Sequence, residues 1–243
     1  MSFLWIILVI VFHWYASLFF QTIFLHRYAS HNMFKLSPFM ERVFYFLTFL
    51  TQGSSFLDPR AYAVLHKLHH KHSDNDLDPH SPVQNSNVII MMWRTFRTFQ
   101  EIGQNPEQYG DIKVGVKPWP FLDRISALWV TRIILGALWV GIYSLFVEYW
   151  WQYLFVPIHW MMGPIHGTIV NWCGHKYGYQ NFENDDNSKN TLLIDFLMMG
   201  ELYQNNHHKF PNRPKFATRK IELDFGYLSL KILSWFRLIR MNS

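Results

Sequence analysis

The 243-residue sequence has a single cysteine, Cys173, and few charged residues. One cysteine excludes an internal disulfide and any iron–sulfur cluster held by several thiolates of this chain. Charged residues make up 16% of the sequence, whereas 50% are hydrophobic and 19% aromatic, which is a high aromatic content for a soluble protein. The formal charge of +5 comes without a nucleic-acid recognition motif, so no nucleic-acid partner is predicted.

Long uncharged segments indicate contact with a lipid bilayer. Residues 3–25 contain no charge and are long enough to cross about 30 Å of hydrocarbon as a helix. Residues 125–147 and 149–172 form an apolar pair joined at Glu148, which predicts a helical hairpin that crosses and returns. Residues 38–57 are apolar but interrupted by polar side chains, which favours a helix lying at the membrane interface.

The predicted fold is an all-α integral membrane protein, a single domain over residues 1–243 with about three transmembrane helices. Amphipathic helices are predicted at residues 88–100 and 227–239, and a further helix at residues 190–208. All 22 Lys and Arg residues fall at or after Arg27. The positive-inside rule therefore places the N-terminus outside and a His-rich helical cap in the cytoplasm.

Residues 58–72 carry the densest group of metal-binding side chains. Asp58 suits the N-cap of a helix, and proline is favoured at the position that follows it. A helix that begins there presents three histidines at positions i, i+3 and i+4, within about 100° of one face: His66, His69 and His70. Imidazole binds iron, zinc, copper or nickel, so this group alone predicts a metal site without naming the metal.

Further histidines in the same chain raise the number of candidate ligands to eight. The pair His207 and His208 has Gln204 where a leading histidine would stand, and His175 lies one helical turn after Asn171. Eight histidines are too many for one ion and predict two. The full set is His26, His31, His66, His69, His70, His175, His207 and His208.

His26 and His31 are five residues apart, which separates them by about 140° on a regular α-helix. Either the helix loosens there or the two side chains serve different ions. The remaining histidines have simpler interpretations. Three of them, His13, His159 and His166, lie within apolar segments and are expected to form hydrogen bonds between helices. The other two, His72 and His80, lie at the end of the ligand helix and in the turn after it, and are expected to support the site or to lie at the surface.

The order His-x4-His, His-x2-His-His, Gln-x2-His-His resembles the histidine boxes of the membrane-bound fatty acid desaturases, particularly shorter bacterial members. The resemblance covers about residues 25–211 and includes Asn171-x3-His175 and the turn at residues 78–80. It implies two iron ions as cofactor and places His175 among the ligands. It also implies that Asn171 reaches the metal through water, and it leaves Gln204 as a candidate for direct or water-mediated contact.

The same resemblance implies an activity and its partners. The expected reaction uses O2 and two electrons to introduce a double bond into a long acyl chain, Δ9-like, carried by CoA or by a lipid. The electrons would come from an external donor of the ferredoxin, rubredoxin or cytochrome b5 type. The expected location is a bacterial inner membrane, in contact with membrane lipid.

Two other functions stay open at this stage. Fatty-acyl, alkyl and sterol hydroxylases share such boxes, so the product would then be an alcohol. A non-catalytic metal-binding membrane protein with a degenerate site is a second alternative, because Gln204 replaces a histidine. The sequence contains no Glu-x-x-His pair, so a soluble carboxylate-bridged di-iron bundle is not supported.

Overall fold

The computed structural model describes residues 2–85 and 87–242. Its helices confirm the all-α class, and the described strands are a single antiparallel pair of two residues each, β1 (Phe34–Lys35) and β2 (Arg240–Met241). The α-helices are α1 (Ser2–Phe20), α2 (Pro38–Gln52), α3 (Pro59–His72), α4 (Val88–Gln104), α5 (Pro120–Ala127), α6 (Trp129–Ser144), α7 (Val156–Trp160), α8 (Met162–Gly174), α9 (Gln204–Lys209) and α10 (Phe225–Trp235). Short 3₁₀ helices cover Gly53–Ser55, Pro106–Tyr109 and Trp150–Phe155.

The first helix changes its winding before the first histidine box. α1 continues directly into a π-helix, Gln21–Ser30, all ten residues of which are buried. In a π-helix the hydrogen bonds join residues five apart, so such residues lie nearly above one another. The backbone N–H of His31 accordingly donates to the carbonyl of His26 at 3.2 Å. The predicted loosening is confirmed, and it brings His26 and His31 to the same side of the helix.

The ligand helix α3 begins as the sequence predicts. The carboxylate of Asp58 accepts hydrogen bonds from the backbone N–H groups of Arg60 and Ala61 at 3.0 and 2.8 Å. Pro59 occupies the first helical position, where no N–H is needed. α3 packs against both the π-helix and α4, so the second histidine box faces the first.

The apolar segments form fewer long helices than predicted. Among the described residues, one helix is long and apolar enough to cross a membrane, Phe3–Ser30, and α5 with α6 makes a second only if the pair, bent by 71°, is taken as one span. The predicted return helix at residues 149–172 is divided into a 3₁₀ helix, α7 and α8. Pro157 and Pro164 lie in the first turns of α7 and α8. Because proline has no backbone N–H, it cannot donate a hydrogen bond to the helical turn before it, and that helix stops.

The predicted helix at residues 190–208 is wrong except for its end, α9. The Asp195 carboxylate accepts hydrogen bonds from the backbone N–H groups of Met198, Gly200 and Leu202 at 2.8 to 2.9 Å. Such side-chain acceptors compete with a helix for backbone donors. Gly200 also has a φ of 95°, which a helix does not permit. The segment therefore forms turns, and only Gln204–Lys209 is helical.

Candidate metal centre

Two groups of histidines lie side by side where the π-helix, α3, α8 and α9 meet. The first, called here the five-histidine group, consists of His26, His31, His66, His70 and His207, whose candidate ligand atoms all lie within 4.8 Å of one another. The Nε2 atoms of His31 and His70 lie 2.8 and 3.0 Å from that of His66. The Nε2 atom of His207 lies 2.9 Å from those of both His26 and His70.

The second, called here the three-histidine group, consists of His69, His175 and His208. Their Nε2 atoms are buried and have no hydrogen-bond partner within the described part of the chain. All eight histidines predicted from the sequence thus fall into these two groups.

Four carboxylates orient these rings, and the sequence had not indicated them as part of the site. Each accepts a hydrogen bond from the Nδ1–H of one histidine, which turns the Nε2 lone pair of that ring towards its group. The pairs are His69 with Asp78 (2.9 and 3.0 Å), His175 with Asp74 (2.9 Å), His208 with Asp186 (2.6 Å) and His26 with Glu201. Two of the carboxylates, those of Asp74 and Asp78, could have been predicted from the sequence, because they lie in the turn directly after the helix that carries His66, His69 and His70.

Burial keeps the imidazoles in the neutral form that binds metal. Desolvation, reinforced by neighbouring imidazoles, holds the pKa well below its usual value for His31, His66, His69, His70 and His207. Burial alone would raise the pKa of Asp74 and Asp186, but hydrogen bonds from His175 and His208 outweigh it and hold both carboxyl groups well below their usual range. The five rings named above are therefore neutral, and the carboxyl groups of Asp74 and Asp186 are ionised.

The donor geometry fits two metal ions. A neutral imidazole has one N–H, so five Nε2 atoms at separations of 2.8 to 3.0 Å cannot satisfy one another by hydrogen bonding alone. Nitrogen ligands about 2.0 to 2.1 Å from an ion, at right angles to each other, lie about 2.9 Å apart. The observed separations match that spacing. The unpartnered Nε2 atoms of the three-histidine group suit a second ion.

The side-chain amides of the other two candidate residues, Gln204 and Asn171, bond to backbone carbonyls in the structure. The Gln204 amide donates to the carbonyl of Glu201 at 2.6 Å, and that of Asn171 donates to the carbonyl of Gly167 at 2.8 Å. Contact of Gln204 or Asn171 with a metal stays a prediction. His80 is buried and not a surface residue: its ring centroid lies 4.4 Å from that of His69.

The histidines of the apolar segments lie outside both groups. The Nδ1 atoms of His13 and His159 are 2.8 Å apart, and Tyr143 OH lies 2.9 Å from His159 Nε2, which confirms the expected bonding between helices. His166 is buried, and its ring nitrogens have no partner among the described residues, so the same expectation fails for it.

An apolar cavity of about 520 Å³ reaches the five-histidine group. Its lining includes His26 and His66. It also includes His166, which precedes His175 by nine residues and therefore lies about 13 Å from it along the axis of α8. Most of its other walls are apolar side chains of α1, α3, α4 and α8, among them Leu18, Leu65, Met92, Phe96, Phe99 and Val170. An elongated apolar ligand would therefore pass close to the histidines.

Comparison with known proteins agrees with this geometry. The family model for fatty acid desaturases matches residues 2–224. The chain belongs to the fatty acid desaturase family. Relatives include acyl-CoA 5-desaturase AL21 of Anemone leveillei, 27% identical over 88% of this chain, and Delta-9 desaturase-like 2 protein of Arabidopsis thaliana, 30% identical over 87%. The sn-1 stearoyl-lipid 9-desaturase of Synechocystis is 27% identical over 88%. The chain spans 64%, 66% and 64% of these three desaturases.

Asp78→Asn should weaken metal binding by about 10-fold to 100-fold while the helices stay folded. The amide can still accept the His69 Nδ1 hydrogen bond, but it removes the negative charge that makes the imidazole a stronger ligand. Iron retention during dialysis against a chelator measures the effect. Asp76→Asn, two residues away on an exposed side chain, is the control and should retain iron like the parent. Equal retention in both variants would show that the carboxylate of Asp78 does not support the metal.

Proposed function

We propose that this protein is an O2-dependent acyl desaturase with two iron ions. The reaction removes two hydrogens from a –CH2–CH2– unit to give –CH=CH–, and it converts O2, two electrons and two protons into two water molecules. The observation that carries the proposal is the apolar cavity that ends against the five-histidine group. A saturated acyl chain has no polar group to bind beside the metal, so such a cavity must position it by shape.

The proposed ligands are the eight histidines of the two groups, with one iron in each group. Asn171 lies one helical turn before His175 and Gln204 one turn before His208, so both are proposed to adjoin the iron of the three-histidine group, directly or through water. When bound, the two irons supply the activation of O2 needed to cleave an unactivated C–H bond.

The protein's own part is to hold one methylene pair beside the metal and to exclude water. Tyr62 and Leu65 on α3 and Met91 on α4 line the cavity, and the last two are buried. The Tyr62 ring is stacked on that of His66, with centroids 6.1 Å apart. Desolvation raises the pKa of Tyr62 far above its usual value, so its hydroxyl stays protonated there. The Tyr62 hydroxyl thus adds no charge to the cavity wall, and the Glu201 carboxylate, which also lines the cavity, is paired with His26 and Arg27.

The function is tested by the lipids of cells that express the protein together with an electron donor. Fed a deuterated saturated acyl chain, they should accumulate a monounsaturated product that has lost two deuterium atoms. An alcohol that has lost one deuterium atom would instead identify a hydroxylase. No O2-dependent product, with iron bound, would identify a non-catalytic metal protein.

Gly167→Phe should lower this product about 100-fold, because a chain displaced by even 1 Å from the metal reacts far more slowly. Gly167 lines the cavity, and a Cβ built there meets only the Gln21 amide, at 3.9 Å, so the new ring must occupy the cavity itself. Gly141→Phe on α6, where a Cβ meets nothing within 4 Å, is the matched control. Iron content should be unchanged in both. Full activity of Gly167→Phe would show that this cavity does not hold the acyl chain.

We also propose three membrane crossings, with both histidine groups on the cytoplasmic side. Residues 3–25 of the helix Phe3–Ser30 make the first crossing, so that His26 and Arg27 lie beyond its cytoplasmic end. The two broken segments between α5 and α8 go across and back, with the turn near Glu148 outside. The basic residues support this orientation, since none lies near that turn.

Cysteine labelling tests this topology in a Cys173→Ser background. Cysteines introduced at Ser2 and Glu148 should react with an impermeant reagent in intact cells. One at Val83, which is 52% exposed in the loop after α3, should react only after the cells are opened. Labelling at Val83 from outside would place that loop on the other side and contradict the proposed orientation.

A further inference from the structure

The electrons for the proposed reaction must enter this chain from another protein. The single cysteine excludes an iron–sulfur cluster within the chain, so the two irons need a path to a reduced partner at the surface. The rate of electron transfer falls steeply with distance. The entry point is therefore expected where solvent-exposed residues lie closest to a histidine group.

Residues 213–220, called here the basic loop, are one place where exposed residues adjoin the five-histidine group. The loop follows α9, which carries two of the histidines, and all four of its charged side chains are exposed and positive: Arg213, Lys215, Arg219 and Lys220. It contains no carboxylate.

Phe216, in the middle of this loop, points inward and touches the five-histidine group. It is 1% exposed, and its ring centroid lies 4.5 Å from that of His207 and 5.4 Å from that of His26. Its backbone N–H donates to Asp224 at 2.6 Å, and its carbonyl accepts from the Asn206 amide at 2.9 Å. The basic loop thus contacts two histidines through one buried aromatic ring, that of Phe216.

The acidic residues that follow the loop do not present negative charge at its surface. Glu222 and Asp224 are buried: the first accepts from the backbone of Arg219 at 2.9 Å, and the second pairs with Arg27 at 3.0 Å. Exposed acids lie instead on the segment beside Lys209, whose ammonium donates to the carbonyl of Glu183 at 3.1 Å. Within residues 213–224, the exposed charged side chains all belong to residues 213–220 and are therefore positive throughout.

From these contacts we infer that the basic loop is the docking surface for an acidic one-electron carrier protein. The inference rests on the proposed function. In each encounter the reduced carrier loses one electron and the metal centre gains it, next to Phe216 and His207, so one turnover takes two encounters. Carriers of this kind form small, transient interfaces, for which opposite charge supplies much of the orientation and the association rate.

An anionic lipid surface would also attract such a loop. The carrier is favoured because Phe216 joins the cations to the histidines, an arrangement that binding to lipid alone does not require. Lipid binding becomes one outcome of the test.

The test uses iron-loaded, full-length protein in detergent, with chemically reduced acidic plant-type ferredoxin as the probe. Lys215→Glu combined with Arg219→Glu should slow reduction of the irons by ferredoxin about tenfold at low ionic strength. Raising the salt concentration should slow the parent towards the rate of the variant, because screening removes the attraction. Reduction by a small chemical reductant, and the turnover it supports, should be unchanged.

Lys113→Glu combined with Lys117→Glu, exposed residues of a different loop, has the same net charge and is the matched control. Equal slowing in both double variants would show that overall charge, and not this loop, steers the carrier. Unchanged reduction of the Lys215/Arg219 variant by ferredoxin, with loss of its binding to anionic vesicles, would show a lipid contact instead. Either result overturns the inference, while turnover with the chemical reductant reports separately on the proposed function.

Discussion

His66→Ala should abolish desaturation, a loss of at least about 100-fold, and reduce the iron content from close to two ions per chain. The Nε2 atom of His66 lies within 3.0 Å of those of His31 and His70, and the side chain also lines the apolar cavity. Its loss removes one proposed ligand and opens the five-histidine group to the cavity. Iron analysis of the purified protein and product formation under a chemical reductant measure the two effects.

His72→Ala provides the control for that variant. His72 lies on the same helix, is half-buried and belongs to neither histidine group. It should keep both irons and the parental rate. A parent protein that holds one zinc and no iron would contradict the proposed cofactor. Full iron and activity in His66→Ala would contradict the ligand set while leaving the family assignment intact.

Arg27→Met should destabilise the fold by about 3–5 kcal/mol. Arg27 is fully buried, and its guanidinium lies 2.7 Å from Glu201, 3.0 Å from Asp224 and 4.0 Å from the centroid of the Phe216 ring. Its removal leaves two carboxylates buried near each other without a cation. Because Glu201 also orients His26, we expect iron to be lost together with stability.

Denaturant unfolding in detergent measures this change, with Arg97→Met as control. Arg97 is exposed on α4, so its replacement should alter the free energy of unfolding by no more than about 0.5 kcal/mol. If Arg27→Met unfolded at the same denaturant concentration as Arg97→Met, the buried ion pairs would not stabilise the fold as described.

The sequence was sufficient wherever the information is local. The N-cap at Asp58 and the i, i+3, i+4 spacing in α3 depend on neighbours within one or two turns, and the structure shows the helix they predict. The apolar run that begins at Phe3 likewise needs only its own composition to predict a spanning helix. The order of the histidine boxes indicated the family before any fold was known.

Only the tertiary structure decided how those histidines divide and what supports them. His26 and Glu201 are 175 residues apart, and no local pattern joins them until the π-helix and the turn after Asp195 bring them together. Asp74 and His175 are 101 residues apart and are likewise joined only by the tertiary structure. Phe216 and His207 are only nine residues apart, but no helical or strand spacing predicts the contact between their rings. Sequence periodicity reports which face of one helix is apolar, whereas ring orientation and charge compensation arise from contacts between elements, which exist only when the chain is packed.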